Sequence, residues 1–198
     1  MSLHPTGTVT FLFTDIEGST SLAQRSPDAL QAVLTRHHAI LRNAIESHRG
    51  TVFQIIGDAF CAAFHTVGDA MQAALDAQHA LAREEWALGP VKVRMGINTG
   101  AAQAVTEKPH SEVYAGYLTL TRTQRIMSVA YGGQILLSNA SADLVREEIR
   151  GEVNLRYLGE HRLKSLPTIE RPPERRYRHR NPYCSRNWSL WLIGSQSR

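Results

Sequence analysis

Cysteine is scarce in this chain. Of 198 residues only Cys61 and Cys184 carry thiols, too few for a disulfide framework or an all-cysteine zinc site. Long apolar runs are missing as well, since no stretch approaches the ~20 residues a membrane helix needs. The opening residues Met-Ser-Leu-His-Pro-Thr-Gly lack the basic-then-apolar order of a signal peptide. A soluble, cytoplasmic protein without membrane contact is therefore expected. No internal repeat is visible. With 42% hydrophobic and 20% charged residues, the composition is that of an ordinary globular domain and excludes a disordered or fibrous chain.

Positive charge is present but badly spread. The net charge is +4, yet residues 171–198 hold seven Arg against one Glu. That tail carries +6 and leaves −2 for residues 1–170. A stripe of arginines with base-stacking aromatics on a defined element is lacking, so a nucleic-acid partner is not expected.

Thr8 to Thr14 is β-branched and aromatic on both faces, as in a central strand covered on both sides. Ser26-Pro27-Asp28 offers an N-cap, a proline for the first helical position and an acidic first turn. Leu30, Val33, Leu34, His37, Leu41, Ala44, Ile45 and His48 then recur at helical spacing up to Gly50. Two short strands, Val52 to Ile56 and Ala59 to Phe64, flank Gly57-Asp58, a hairpin turn. A second helix spans about Val67 to Glu85, with Trp86 as an anchor at its end.

Val91 to Ile97 alternates as a half-buried strand, Asn98-Thr99-Gly100 reads as a turn, and Ala101 to Val105 as another apolar stretch. Thr106 to Glu112 reads as loop, Tyr117 to Ala130 as helix, Gln134 to Ser138 as strand, Asn139 to Ile149 as helix and Val153 to Leu158 as strand. The order is β-α-β-β-α-β-β-α-β-α-β, a mixed α/β or α+β sandwich whose central hairpin is flanked by crossover helices. The domain is placed at residues 6–166, and residues 167–198 are expected to form a basic, irregular tail.

The chemically sharpest feature is a pair of carboxylates. Asp15 ends the first strand, ahead of Ile16-Glu17-Gly18-Ser19-Thr20, and Asp58 sits in the hairpin turn. If the first strand lies beside the hairpin, both acids meet at one sheet edge. Two carboxylates and a backbone carbonyl suit Mg²⁺ or Mn²⁺, and a Gly-Ser-Thr turn offers N–H groups to phosphate. A plainer reading stays open on spacing alone: both aspartates are also ordinary turn formers. Cys61 reads as a small buried hydrophobe, and no histidine pair has convincing metal-ligand spacing.

Phe11-Leu-Phe-Thr-Asp15-Ile-Glu-Gly-Ser-Thr20, followed by Gln54-Ile-Ile-Gly-Asp58-Ala-Phe, resembles the class III adenylyl/guanylyl cyclase catalytic domain of bacterial type. Arg94-Met-Gly-Ile-Asn-Thr-Gly100, Arg122-Thr-Gln-Arg-Ile126, Gly132-Gly-Gln-Ile-Leu-Leu-Ser138 and Leu158-Gly-Glu-His-Arg-Leu-Lys-Ser-Leu166 are similar to further segments in the same order. The resemblance implies a ferredoxin-like βαββαβ core with a mixed antiparallel sheet. It also implies a head-to-tail homodimer that converts ATP, or less readily GTP, to cyclic nucleotide and pyrophosphate, using two Mg²⁺ or Mn²⁺ per site. By position, Asp15 and Asp58 match the metal-ligating aspartates, and Ile16 would lend its carbonyl. Glu17, Gly18, Ser19 and Thr20 match the phosphate-facing turn, and Lys164 the lysine that reaches the triphosphate. Arg125 matches the arginine that stabilises transition-state charge.

Three positions depart from the family pattern. Gln54 stands where adenylyl cyclases commonly place Lys and guanylyl cyclases Glu, and its amide can both donate and accept. The second base-reading position falls at Tyr114. The ribose-positioning Asn falls at Thr121. These departures motivate an alternative, a catalytically weak or inactive cyclase-like domain that keeps a regulatory or nucleotide-binding role.

Overall fold

A computed structural model describes residues 4–108, 111–146, 153–161 and 188–195. In chain order they form β1 (Gly7–Ile16), α1 (Ser19–Arg25), α2 (Pro27–Ser47), β2 (Thr51–Ile56), β3 (Ala59–Phe64), α3 (Val67–Arg83) and β4 (Val93–Lys108). Then follow β5 (Ser111–Ala115), α4 (Tyr117–Ser128), β6 (Ile135–Ser138), α5 (Asn139–Val145), β7 (Val153–His161) and β8 (Trp188–Ser195).

β1 is central because it is apolar on both faces. Leu12 and Ile16 pack toward α2 and α3 with Phe60, Phe64, Met95 and Ile97. Val9, Phe11 and Phe13 pack on the opposite face with Cys61, Tyr114 and Met127. Each fully buried phenylalanine contributes about 1.5–3 kcal/mol by leaving water. β1 pairs antiparallel with β3 and β4, and β2 with β3. The order β2-β3-β1-β4, with α2 and α3 as crossovers on one face, is the βαββαβ core expected. β6 adds parallel to β4, followed by antiparallel β8 and β7, so the sheet is mixed.

Local signals explain the crossover helices. Ser26 occupies the N-cap of α2, ahead of Pro27 at the start of the helix. At α3 the Thr66 hydroxyl accepts from the Asp69 N–H at 3.1 Å, satisfying one of the free donors of the first turn. Trp86 anchors the far end, its indole N–H donating to the Leu81 carbonyl at 3.0 Å. Among the described residues no helix is long and apolar enough to cross a membrane.

Four expectations change. Asn98-Thr99-Gly100 is not a turn: β4 runs unbroken because its pairing with β1 continues to Gly7 opposite Ala102. The buried Asn98 amide finds its acceptor at the Thr119 carbonyl of α4 instead. Thr106 to Glu112 is not simply loop, since β4 and β5 pair as an antiparallel hairpin up to Lys108 opposite Ser111. Asn139 begins a helix that ends at Val145, and residues 147–152 lie outside the described residues. The tail is not irregular throughout: β8 lies between β6 and β7, with Ile193 in the main core. An additional short helix, α1, follows the Glu17-Gly18 turn.

Candidate active site

The register of the central strands builds the site. Thr14 lies opposite Phe60 on β3, so two residues further on Ile16 faces Asp58 in the β2–β3 turn. Gly57 takes φ +60 there, a conformation that costs glycine little. The Ile16 N–H donates to Asp58 Oδ2 at 2.8 Å. On the other side of β1, Asp15 lies directly opposite Arg94 of β4. Arg94 Nε donates to Asp15 Oδ2 at 2.8 Å, and Nη2 of the same guanidinium donates to the same oxygen.

Asp15 and Asp58 therefore meet at one end of the sheet, close enough to perturb one another. The Asp15 carboxyl is raised above its ordinary range, first by burial, against the opposing bond from Arg94, and further by the charge of Asp58. A half-buried carboxylate held beside a second carboxylate is a site that favours a cation. The cation present is a guanidinium. With the Ile16 carbonyl adjacent in sequence, the donor set is all oxygen and carries two formal negative charges. That set fits Mg²⁺ or Mn²⁺.

α2 buttresses the turn from behind. His38 Nε2 donates to the Gly57 carbonyl at 3.0 Å. His37, fully buried against Phe60 and His38, has no hydrogen-bond partner on either ring nitrogen among the described residues. Burial, followed by repulsion from His38, lowers its pKa to about 4. Cys61, on β3 three residues beyond Asp58, is buried, and burial pushes its thiol up to about 12. It is inert at neutral pH, as a buried hydrophobe would be.

The remaining sequence candidates divide. Glu17, Gly18, Ser19 and Thr20 follow Asp15 directly; the Glu17 N–H donates to the Lys92 carbonyl at 2.9 Å, and Gly18, with φ +77, caps α1. Gln54 is exposed on β2 beside a register shift between Val52 and Gln54. Thr121 and Arg125 lie one turn apart on α4, both half-buried. Neither bonds to the Asp15–Asp58 pair, and the Arg125 Nε is buried without a partner among the described residues. Lys164 lies outside the described residues.

Tyr114 is placed differently from expectation. It is buried, its ring lies 4.9 Å from those of Phe11 and Phe53, and its hydroxyl donates to the Pro5 carbonyl at 3.0 Å. The phenol that was to read a base is committed to holding the N-terminal segment on the aromatic cluster. Two residues that sequence reasoning left without a role, Arg94 and His38, touch the site directly. Arg94 lies within a motif segment, but its partnership with Asp15 depends on the β1–β4 register, which no local pattern specifies.

Residues 1–171 match the family model described as the adenylate and guanylate cyclase catalytic domain. An uncharacterized protein of Mycobacterium tuberculosis is 38% identical over 170 residues, covering 85% of this chain and 55% of the relative. The chain thus spans about half the length of that curated relative. The adenylyl cyclase CyaB of P. aeruginosa superposes with a TM-score of 0.77 at 20% identity, over 97% of this chain and 96% of that one. A Trypanosoma brucei adenylate cyclase solved in its monomeric state gives 0.76 at 24% identity, over 96% and 90%.

Proposed function

The chain belongs to the adenylate and guanylate cyclase catalytic domain family, and from that premise we propose that it cyclises ATP, with GTP as the second choice, to cyclic nucleotide and pyrophosphate. The observation that carries this reading is the meeting of Asp15 and Asp58 at the sheet edge, tied by the Ile16 N–H. In the reaction the ribose 3′-oxygen bonds to the α-phosphorus, the bond from that phosphorus to the bridging oxygen breaks, and pyrophosphate leaves with the electron pair. The 3′-hydroxyl proton passes to solvent. Two divalent ions held by Asp15, Asp58 and the Ile16 carbonyl would supply charge neutralisation and an activated oxygen.

This chain's own groups do the rest. Glu17 and Gly18, the exposed turn after Asp15, and Ser19 and Thr20, the first residues of α1, are assigned to the phosphates. Arg125 is assigned to the charge that develops at the α-phosphate, a task for a fixed guanidinium. Thr121, one turn earlier, is assigned to the ribose through its hydroxyl, and Lys164 to the triphosphate. Gln54 is the exposed candidate for the base. Its amide suits adenine or guanine through one rotation, and Tyr114 is occupied elsewhere.

Thr121 and Arg125 do not reach the aspartates of their own chain, which supports a site shared between two copies. A complementation experiment tests this. Asp58→Asn and Arg125→Ala are each expected to be inactive alone, and mixing them is expected to restore about a quarter of wild-type activity, since random pairing leaves one intact site in half of the dimers. Two inactive variants that stay inactive when mixed, though folded and associated, contradict the shared site. Folded wild-type protein that makes no product favours the regulatory alternative.

A further inference from the structure

Arg94 is an unusual companion for a metal ligand. Its Nε and Nη2 both converge on Oδ2 of Asp15, rather than spanning both carboxylate oxygens as a two-point fork does. The guanidinium sits where a cation bound to that oxygen would sit. The pair is partly withdrawn from water, with side-chain exposures of 31% for Arg94 and 20% for Asp15, so its attraction is less screened than that of a surface ion pair. Asp58 adds a second negative charge beside Asp15.

We propose that Arg94 is the resident counter-cation of the site: it neutralises Asp15 in the metal-free protein and must leave the carboxylate for a divalent cation to bind. The inference rests on the two-aspartate reading of the site. A divalent ion on the same oxygen would stand against a guanidinium of like charge, so the two exclude one another. Arg94 thereby keeps two adjacent carboxylates compatible with a folded, metal-free chain, and it lowers the affinity for a lone cation. An arginine kept only for cross-strand pairing would stabilise the sheet without competing with metal.

Mn²⁺ alone is the probe, with free Mn²⁺ measured by electron paramagnetic resonance in the absence of nucleotide. Arg94→Gln is expected to bind Mn²⁺ about tenfold more tightly than wild type, the equivalent of about 1.4 kcal/mol. It is also expected to show a lower melting temperature without metal and a larger Mn²⁺-induced rise. Arg94→Lys, which keeps the charge but loses the double contact, is expected to fall between, and it carries the test if the Gln variant does not fold. Equal Mn²⁺ affinity in wild type and in every folded Arg94 variant overturns the proposal while leaving the metal site intact. Absence of Mn²⁺ binding that Asp15→Asn and Asp58→Asn abolish overturns the site itself along with it.

Discussion

The backbone N–H of Ile16 donates to the Asp58 carboxylate at 2.8 Å, across 42 residues of sequence. One bond ties the strand that carries Asp15 to the turn that carries Asp58. Asp58 thus has a structural duty besides its charge, and two substitutions separate them. Asp58→Asn keeps an oxygen to accept the Ile16 N–H, whereas Asp58→Ala leaves that part-buried donor unpaired.

Urea denaturation is expected to find Asp58→Ala less stable than Asp58→Asn by about 1–3 kcal/mol, the cost of an unsatisfied donor. Cation-dependent turnover is expected to fall by ~10²-fold or more in both, because both lose the charge. Equal stabilities would mean that the Ile16 bond contributes nothing to the fold.

His37 makes stability depend on pH. Its pKa is lowered from 6.5 to about 4 in the folded protein, so between those values the unfolded chain binds the extra proton. Stability therefore rises from pH 4 to 6.5 and is fully present above, by ~3 kcal/mol at most. Asp15 acts in the opposite sense, since its raised pKa removes stability as pH climbs above the ordinary carboxylate range. The comparison is thus made between wild type and His37→Leu, by urea midpoints near pH 5 and near pH 7.5. The wild-type protein is expected to gain more stability than the variant on going to the higher pH. Parallel changes would remove His37 from the explanation.

At Gly96 the backbone of β4 passes close against α4. A Cβ there would lie 2.5 Å from the Met127 nitrogen and 2.8 Å from its Cα, and backbone cannot yield as a side-chain tip can. Gly96→Ala is expected to cost about 1–3 kcal/mol and to displace the helix bearing Thr121 and Arg125. Thermal unfolding measures the first effect. The second appears as a fall in kcat at unchanged metal affinity, because the aspartates sit on other elements. Wild-type stability and kcat would contradict the packing.

Much of this was legible from residue order, and the exceptions share a cause. β1 announced itself through apolar residues on both faces, and Gly57-Asp58 through its turn chemistry. The partnership of Asp15 with Asp58 follows from strand adjacency, and the β1–β3 register together with the Ile16 N–H to Asp58 bond realises it. Asn98-Thr99-Gly100 misleads because turn-forming residues are used inside a strand, where the Asn98 amide is satisfied by α4 and Gly100 stands against Thr119. β8 was hidden by its Arg-, Pro- and Asn-rich approach and by partners more than 25 residues away in β6 and β7. Tyr114 misled for a similar reason: its hydroxyl partner, Pro5, is 109 residues distant. Local pattern reports local structure, whereas pairing at long range is decided by packing.

The most direct measurement of the central claim is product formation from ATP and from GTP with Mn²⁺ or Mg²⁺, resolved by chromatography over a range of protein concentrations. Cyclic nucleotide is expected, with ATP preferred, metal required, and a specific rate that rises with concentration as copies associate. Absence of cyclic product from either nucleotide, in protein shown to be folded and dimeric, would contradict it.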